Sequence, residues 1–278
     1  MVFSKLANET VIYILEYTDL ATLMTLSHTS RYFKPLVLVV VRERYDFMIK
    51  RYFNSPEDVR RLMKTTQSVF SGSFVLEFIH FTWNWVGRDL DIYATLEGSE
   101  AWDEYLLLNG YKESNKKSGA AYRCWQILDV RTYTKQTSGG PRSIDVVVSI
   151  DDASILPITS FWTTTVQNFL TADDVVIAYP TSTLYGVGTL LPDHPVTVAL
   201  DPLIHKYAER DIHTVIWKPE FDTVWSRSLQ RRSFLDEETM WFSLTTGTIT
   251  EGRSCVGDRL YWTSVTWLDY GIQISCSD

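Results

Sequence analysis

The sequence predicts an α+β fold, in which a small helical unit precedes a domain built on a mixed β-sheet. Apolar residues recur at helical spacing through residues 6–64, which favours consecutive short helices. From about residue 68, segments with strand alternation follow segments with helical spacing along the chain. Because both kinds of element recur in one stretch, we expect a sheet covered by helices.

Four helices are predicted before residue 68. The first carries Leu6, Ile12 and Leu15 on one face, and the second begins with Leu20 after the start signal Thr18-Asp19. The third opens at Pro35 and runs to about residue 45. The fourth follows Ser55-Pro56, because a capping serine, a proline and two acidic residues are typical of a helix start.

The later elements alternate in type. Their predicted order is a short apolar run at 69–73, a helix at 74–81, a strand at 90–93, a helix at 100–108, a hairpin of strands 122–133 and 143–150, a helix at 161–170 and a basic helix at 225–234. The expected divisions are a helical module at 1–50, a helical connector at 51–67, a domain at 68–180 and an extension or small subdomain at 181–278.

Composition excludes several classes of protein. The 278 residues are 45% hydrophobic and only 22% charged, so a wholly disordered chain is excluded. Residues 1–70 carry 10 Lys and Arg against 7 Asp and Glu, whereas residues 71–278 carry 16 against 27. This acidic balance argues against generic binding to long nucleic acids or to anionic membranes.

The cysteines and apolar runs indicate an intracellular protein. The three cysteines, at 124, 255 and 276, are far apart and include no C-x-x-C pair, so neither a disulfide framework nor a cysteine zinc site is expected. The longest aliphatic run spans six residues, 36–41, whereas a membrane helix needs about 20. We therefore expect a soluble cytoplasmic or nuclear protein.

The beginning of the chain carries a recognisable order of features. Leu6-Ala7-Asn8-Glu9 precedes an apolar helix, then Leu20-Ala21-Thr22-Leu23, and a basic and aromatic close at Arg31-Tyr32-Phe33. This order, over residues 4–45, resembles an F-box, although Ala7 stands where proline is usual. The resemblance implies docking on the linker subunit of a cullin–RING ubiquitin ligase.

Docking of this kind would use an apolar stripe that three short helices cannot bury among themselves. The candidate docking residues are Leu6, Ile12, Leu15 and Leu20. The alternative is that these residues pack against the rest of the chain as an ordinary helical cap.

A set of carboxylates is the sharpest chemical signal. On a strand, Asp89 and Asp91 share one face while Leu90 and Ile92 point to the other. Asp145 stands in apolar company on the hairpin strand, and it joins the other two if the strands are neighbours. Converging carboxylates repel one another unless a divalent cation such as Mg²⁺ binds between them.

Gly72-Ser73 before a helix, an Asp-x-Asp strand and a third acid on a later strand resemble the nucleotidyltransferase superfamily, over residues 68–170. The resemblance implies that Asp89 and Asp91 hold Mg²⁺ ions, and that Asp145 shares one and helps to deprotonate an acceptor hydroxyl. It also implies that Gly72 and Ser73 cradle a nucleoside triphosphate. The segment between Ser73 and Asp89 is long and contains Trp83-Asn84-Trp85.

Three interpretations of this set stay open: a solvated strand face, a nucleotidyltransferase-like fold without catalysis, and an active enzyme. The expected function is a substrate-recruiting, F-box-type ubiquitin ligase adaptor whose nucleotidyltransferase-like domain recognises a protein client that the sequence does not identify. The alternative is an active Mg²⁺-dependent nucleotidyltransferase that transfers a nucleoside monophosphate to a small-molecule or protein hydroxyl.

Overall fold

The computed structural model describes residues 6–122, 124–190, 200–215, 230–251 and 265–269. These residues form helices and a mixed β-sheet, so the predicted α+β class is confirmed. The helices are α1 (Asn8–Glu16), α2 (Leu20–Thr29), α3 (Phe33–Lys50), α4 (Pro56–Thr66), α5 (Gly72–Ile79), α6 (Leu96–Leu108), α7 (Pro180–Thr183) and α8 (Asp201–Ala208).

Thirteen strands are described, and nine of them form the main sheet in the order β12-β11-β7-β6-β1-β2-β5-β4-β3. Strands β2 and β5 pair in parallel, whereas the other neighbours in this sheet are antiparallel. The strands are β1 (Val69–Ser71), β2 (Asp89–Ala94), β3 (Lys112–Ser118), β4 (Ile127–Thr137), β5 (Gly140–Ser149), β6 (Asn168–Leu170), β7 (Asp174–Ile177), β8 (Val187–Thr189), β9 (His213–Val215), β10 (Gln230–Ser233), β11 (Met240–Ser243), β12 (Ile249–Glu251) and β13 (Thr266–Asp269).

Two of the predicted helix starts before residue 68, those of α2 and α4, are confirmed by their caps. The Asp19 carboxylate accepts a hydrogen bond from the Thr22 N–H at 2.7 Å, and the Ser55 hydroxyl accepts one from the Asp58 N–H at 3.2 Å. These side chains satisfy N–H groups that the first turn of a helix leaves without an internal partner. Helix α3 is longer than predicted, because Pro35 lies inside its first turn and the helix continues to Lys50.

The sheet separates two hydrophobic clusters. One face of β2 and β5 buries Leu90, Ile92 and Ile144 in the same cluster as α1 to α6. Residues of the opposite face, such as Tyr93 and Val147, pack with Phe234 and Trp267. The first 50 residues therefore share a core with the sheet, which is the packing expected of a helical cap.

Two predicted helices are wrong. Residues 161–170 contain a short 3₁₀ turn, Thr164–Val166, followed by β6, which pairs with β1 and β7. Strand β6 takes its extended form from pairing with strands that are distant in the sequence, which helical spacing of apolar residues does not reveal. In the predicted basic helix at 225–234, residues 225–229 lie outside the described ranges, and residues 230–233 form β10, which pairs with β13. Arg232 in β10 is buried and paired with Asp236 rather than solvated.

The described helices include none that combines the length and the apolar character needed to cross a bilayer.

Candidate functional site

The residues of the predicted site lie along one edge of the sheet that is formed by the ends of its central strands. Strand β1 ends at this edge, and its antiparallel neighbours β2 and β6 begin there together with β5, which is parallel to β2. In this register Asp91 is opposite Asp145 on one side and Ser71 on the other. Gly72 follows Ser71 directly and begins α5.

The carboxylates differ in their surroundings. Asp89 is exposed at the start of β2, whereas Asp91 and Asp145 are partly buried. Leu90, Ile92 and Ile144 are fully buried on the opposite face of the sheet. Strand alternation therefore puts Asp91 and Asp145 side by side, with Asp89 on the same face but nearer to solvent.

Burial and mutual repulsion raise the pKa values of the paired carboxyl groups. At Asp91, burial and then the charges of Asp145 and Asp89 raise the pKa to about 7. At Asp145, burial also raises the pKa, opposed by a hydrogen bond from Thr132 and aided by the charge of Asp89. Two such groups hold a single negative charge more easily than two, unless a cation lies between them.

An unpartnered atom marks this pair as a place for a ligand. Asp145 Oδ1 is buried and accepts no hydrogen bond from any described residue. A buried acceptor without a donor is costly, and a metal ion or a ligand donor would satisfy it. The hard oxygen ligands of Asp91 and Asp145 suit Mg²⁺, so the residues present fit the predicted cation.

The three predicted metal ligands do not form a complete cage. In the part of the chain that the structure describes, no three His, Cys, Asp or Glu side chains are grouped as a metal site. Asp91 and Asp145 remain as a pair. Mg²⁺ commonly binds through one or two carboxylates and takes its other ligands from water and substrate phosphates.

The close approach of Asp91 requires a glycine at position 72. Its φ of +68° lies in the left-handed region, and a Cβ at this position would overlap the Asp91 carboxylate. Ser73 is buried in the first turn of α5, and Gly87 lies against its hydroxyl. The carboxylate thus lies at the N-terminus of α5, and the segment 80–88 covers the start of that helix.

A buried ion pair, which the sequence analysis missed, anchors the segment 80–88 through a hydrogen bond to Gly87. Arg51 Nη2 lies 2.9 Å from Glu77 Oε2, and the same oxygen accepts the Gly87 N–H at 2.8 Å. Glu77 is buried in α5, and Arg51 follows α3. A glutamate in the apolar run 74–79 was the available signal, because a carboxylate on the buried face of a helix needs a partner.

The predicted docking residues lie in different environments. Leu15 and Leu20 are buried in the core, because α1 and α2 pack on α3, so they do not form the exposed stripe that we expected. Ile12 is partly buried against the same core, and Leu6 is exposed. The exposed apolar residues here are instead Tyr13 and Ile14 of α1 and Tyr17, which caps its C-terminus.

Comparison with known proteins gives no match, either to a family model or to a curated protein.

Proposed function

We propose that the protein is a Mg²⁺-dependent nucleotidyltransferase. The observation that carries this proposal is the pairing of Asp91 with Asp145 across two parallel strands, beside the Gly72 turn that begins α5. Such an arrangement suits transfer of a nucleoside monophosphate from a nucleoside triphosphate to a hydroxyl group. Catalysis of this kind depends on positioning and on stabilising charge.

Asp91 and Asp145 would hold Mg²⁺, which would neutralise charge on the triphosphate and polarise its reacting phosphoryl group. The N-terminus of α5 points its positive dipole end to the same place, which favours an anionic ligand. Asp145 would also accept a proton from the acceptor hydroxyl, and its Oδ1, which is without a partner among the described residues, supports this role. Asp89, at the exposed end of β2, adds negative charge that helps to retain the cation.

Turnover measurements test this proposal. The purified chain is incubated with each nucleoside triphosphate and Mg²⁺ or Mn²⁺, and the release of pyrophosphate is followed. We expect release that depends on the metal ion and that falls at least 100-fold in Asp91→Asn and in Asp145→Asn, because each variant removes charge that the transition state needs. Asp152→Asn, which changes an exposed carboxylate outside the site, is the control. Undiminished release in both site variants would reject the assigned residues.

A second candidate function is docking to the linker subunit of a cullin–RING ligase. The favouring observation is the exposed apolar face of α1, where Tyr13 and Tyr17 contact each other edge to face with ring centroids 5.3 Å apart. Leu6 and Ile14 extend the exposed apolar area. Exposed aromatic residues are typical of interface anchors. In this role the nucleotidyltransferase-like site would recognise a protein client, in the cytoplasm or the nucleus.

Pull-down with a purified linker subunit tests the second candidate. The double variant Tyr13→Ser, Tyr17→Ser is compared with Tyr185→Ser, which removes an exposed tyrosine elsewhere. Binding that the double variant loses and the control keeps would support docking through α1. Failure of the wild-type chain to bind the linker subunit, while a known F-box protein binds it, would reject this candidate.

A further inference from the structure

Helix α8 is anchored beside the proposed site, far along the chain from the predicted residues. Its Tyr207 is buried against Trp162, with ring centroids 5.7 Å apart. Tyr207 belongs to a hydrophobic cluster that includes Leu76 of α5 and Ile212. This shared cluster therefore holds α8 near α5, the helix whose first turn lies next to Asp91.

Two basic residues lie one helical turn apart at the end of α8. Lys206 is in its last turn, and Arg210 follows the helix, with its N–H bonded to the Tyr207 carbonyl at 3.0 Å. Both side chains lie near the Tyr207 ring, with Lys206 Nζ 5.9 Å and the Arg210 guanidinium carbon 5.5 Å from its centre. The Arg210 guanidinium lies over the ring of Trp85, two residues before Gly87, and the position of Gly87 against Ser73 brings this end of α8 close to the first turn of α5.

Arg210 packs against two aromatic rings, and one of its buried N–H groups has no hydrogen-bond acceptor among the described residues. Its guanidinium carbon lies 4.4 Å from the centre of the Trp85 ring and 5.5 Å from the centre of the Tyr207 ring. Arg210 Nη1 and Trp85 Nε1 are both buried, and neither has a hydrogen-bond acceptor among the described residues. Two adjacent buried donors, one of them charged, are complementary to an anion with several acceptor oxygens.

We propose that Lys206, Arg210 and Trp85 form a polyphosphate-binding site, which takes the β- and γ-phosphates of the nucleoside triphosphate. The inference rests on the proposed function for the identity of the ligand. The carboxylates would hold the cation on one side of the phosphate chain, and α8 would neutralise the chain on the other. The long Trp-containing segment between α5 and β2 then has a role, because it supplies the ring that orients Arg210.

Binding of inorganic tripolyphosphate in EDTA tests this site without the metal ion and without turnover. Calorimetry compares the wild type with Lys206→Met, Arg210→Met and Arg210→Lys. We expect about 10-fold weaker binding for each methionine variant and a smaller loss for Arg210→Lys, which keeps the charge but not the planar fork. Arg42→Met and Lys50→Met, at exposed positions on α3, are matched controls. Circular dichroism of each variant verifies that it is folded.

Removing a carboxylate charge should change tripolyphosphate binding in the opposite direction, which provides an internal check. Without a cation, Asp91 repels a polyphosphate, so Asp91→Asn should bind tripolyphosphate more tightly than the wild type does. Equal binding by the wild type and both methionine variants, or no binding by the wild type and Asp91→Asn, would overturn the inference.

The two proposals fail in different ways. If tripolyphosphate binds through α8 but no nucleoside triphosphate is turned over, the inference holds and the proposed function fails. If turnover requires Asp91 and Asp145 but is unchanged in Lys206→Met and Arg210→Met, the function holds and the inference fails.

Discussion

Among single residues, Gly72 and Asp91 depend on each other, because the Asp91 carboxylate fits only where residue 72 has no side chain. The left-handed backbone at Gly72 brings α5 close to β2, and the Asp91 carboxylate occupies the space where a side chain at residue 72 would begin. A carboxylate against a helix N-terminus gains a favourable dipole. Burial and then the charges of Asp145 and Asp89 raise the pKa of Asp91.

Replacing Gly72 by alanine should therefore cost more than backbone strain alone. Gly140, with a φ of +100° and open space around it, is the matched control. We expect Gly140→Ala to lower the free energy of unfolding by about 1 kcal/mol, which is the strain of left-handed backbone. Gly72→Ala should lose roughly 1–3 kcal/mol more through overlap with Asp91. Urea unfolding measures both, and equal losses would contradict the contact.

The raised pKa of Asp91 predicts how stability depends on pH. Between the ordinary carboxyl pKa of 3.8 and the folded value of about 7, the folded state keeps a proton that the unfolded state has lost. The free energy of unfolding should therefore fall as the pH rises from about 4 to 7, by roughly 2–4 kcal/mol from this group, and then level off. The wild type and Asp91→Asn are unfolded with urea in EDTA across this range. Subtracting the two curves isolates Asp91, and a difference that is flat with pH would contradict the assignment.

At the scale of elements, the site is assembled by segments that the chain brings together from several places. Strand β2 supplies Asp91, β5 supplies Asp145, and the segment 80–88 is tied down by Glu77. Glu77 is bonded to Arg51 through two nitrogen–oxygen pairs, at 2.5 and 2.9 Å. The connector between the N-terminal helices and the sheet thus takes part in shaping the site.

Replacing only one member of the Arg51–Glu77 ion pair should strongly lower the free energy of unfolding. Arg51→Met or Glu77→Met alone leaves one buried charge without its partner, and we expect each to lower the free energy of unfolding by about 3–5 kcal/mol. The double variant should lose less than the sum of the single variants, because no unpaired charge remains. Urea unfolding of the four proteins gives the coupling energy. Additive losses would mean that the pair does not act as a unit.

Local sequence signals predicted the elements that depend on local chemistry. Helix caps at Asp19 and Ser55 and the alternation around Asp91 were sufficient, because each is decided by neighbours in the sequence. Strand β6 was missed because its extended form depends on pairing with β1, about 100 residues earlier. Periodicity identified the apolar faces of α1 and α2 but not whether they face a partner or the protein's own core.

The candidate site also depends on contacts between distant segments, which local sequence signals do not reveal. Strand alternation predicted the faces of Asp91 and Asp145, but their pairing was conditional on neighbouring strands, and Arg210 had no local motif that linked it to Asp91. Its place depends on the hydrophobic cluster that includes both Tyr207 of α8 and Leu76 of α5, which only the three-dimensional structure reveals.

At the scale of the whole molecule, the N-terminal helices and the sheet form one packed body. Residues of α1 to α4 share a hydrophobic cluster with β1, β2 and β5. Polar contacts also cross between the two parts. The Tyr45 hydroxyl donates to the Thr171 carbonyl at 3.0 Å, and the Ser27 hydroxyl donates to the Gly247 carbonyl at 3.4 Å. Separation of residues 1–50 would expose much of the helix-covered face of the sheet.

A fragment that lacks residues 1–50 should consequently fail to fold. The full chain should unfold in one cooperative transition, since its parts share a core. Near-ultraviolet circular dichroism and urea unfolding of the full chain and of the fragment 51–278 test this. A fragment with a native-like spectrum and its own cooperative transition would mean that the first 50 residues are a separate module.

In the proposed function, Asp91 and Asp145 bind a divalent cation together with a nucleoside triphosphate. Calorimetric titration of each nucleoside triphosphate, with and without Mg²⁺, into the wild type and into the double variant Asp91→Asn, Asp145→Asn tests it most directly. Binding that Mg²⁺ strengthens in the wild type, and that shows no such dependence in the double variant, is the predicted result. Binding of equal strength in both proteins, or no binding to the wild type with Mg²⁺ present, would contradict it.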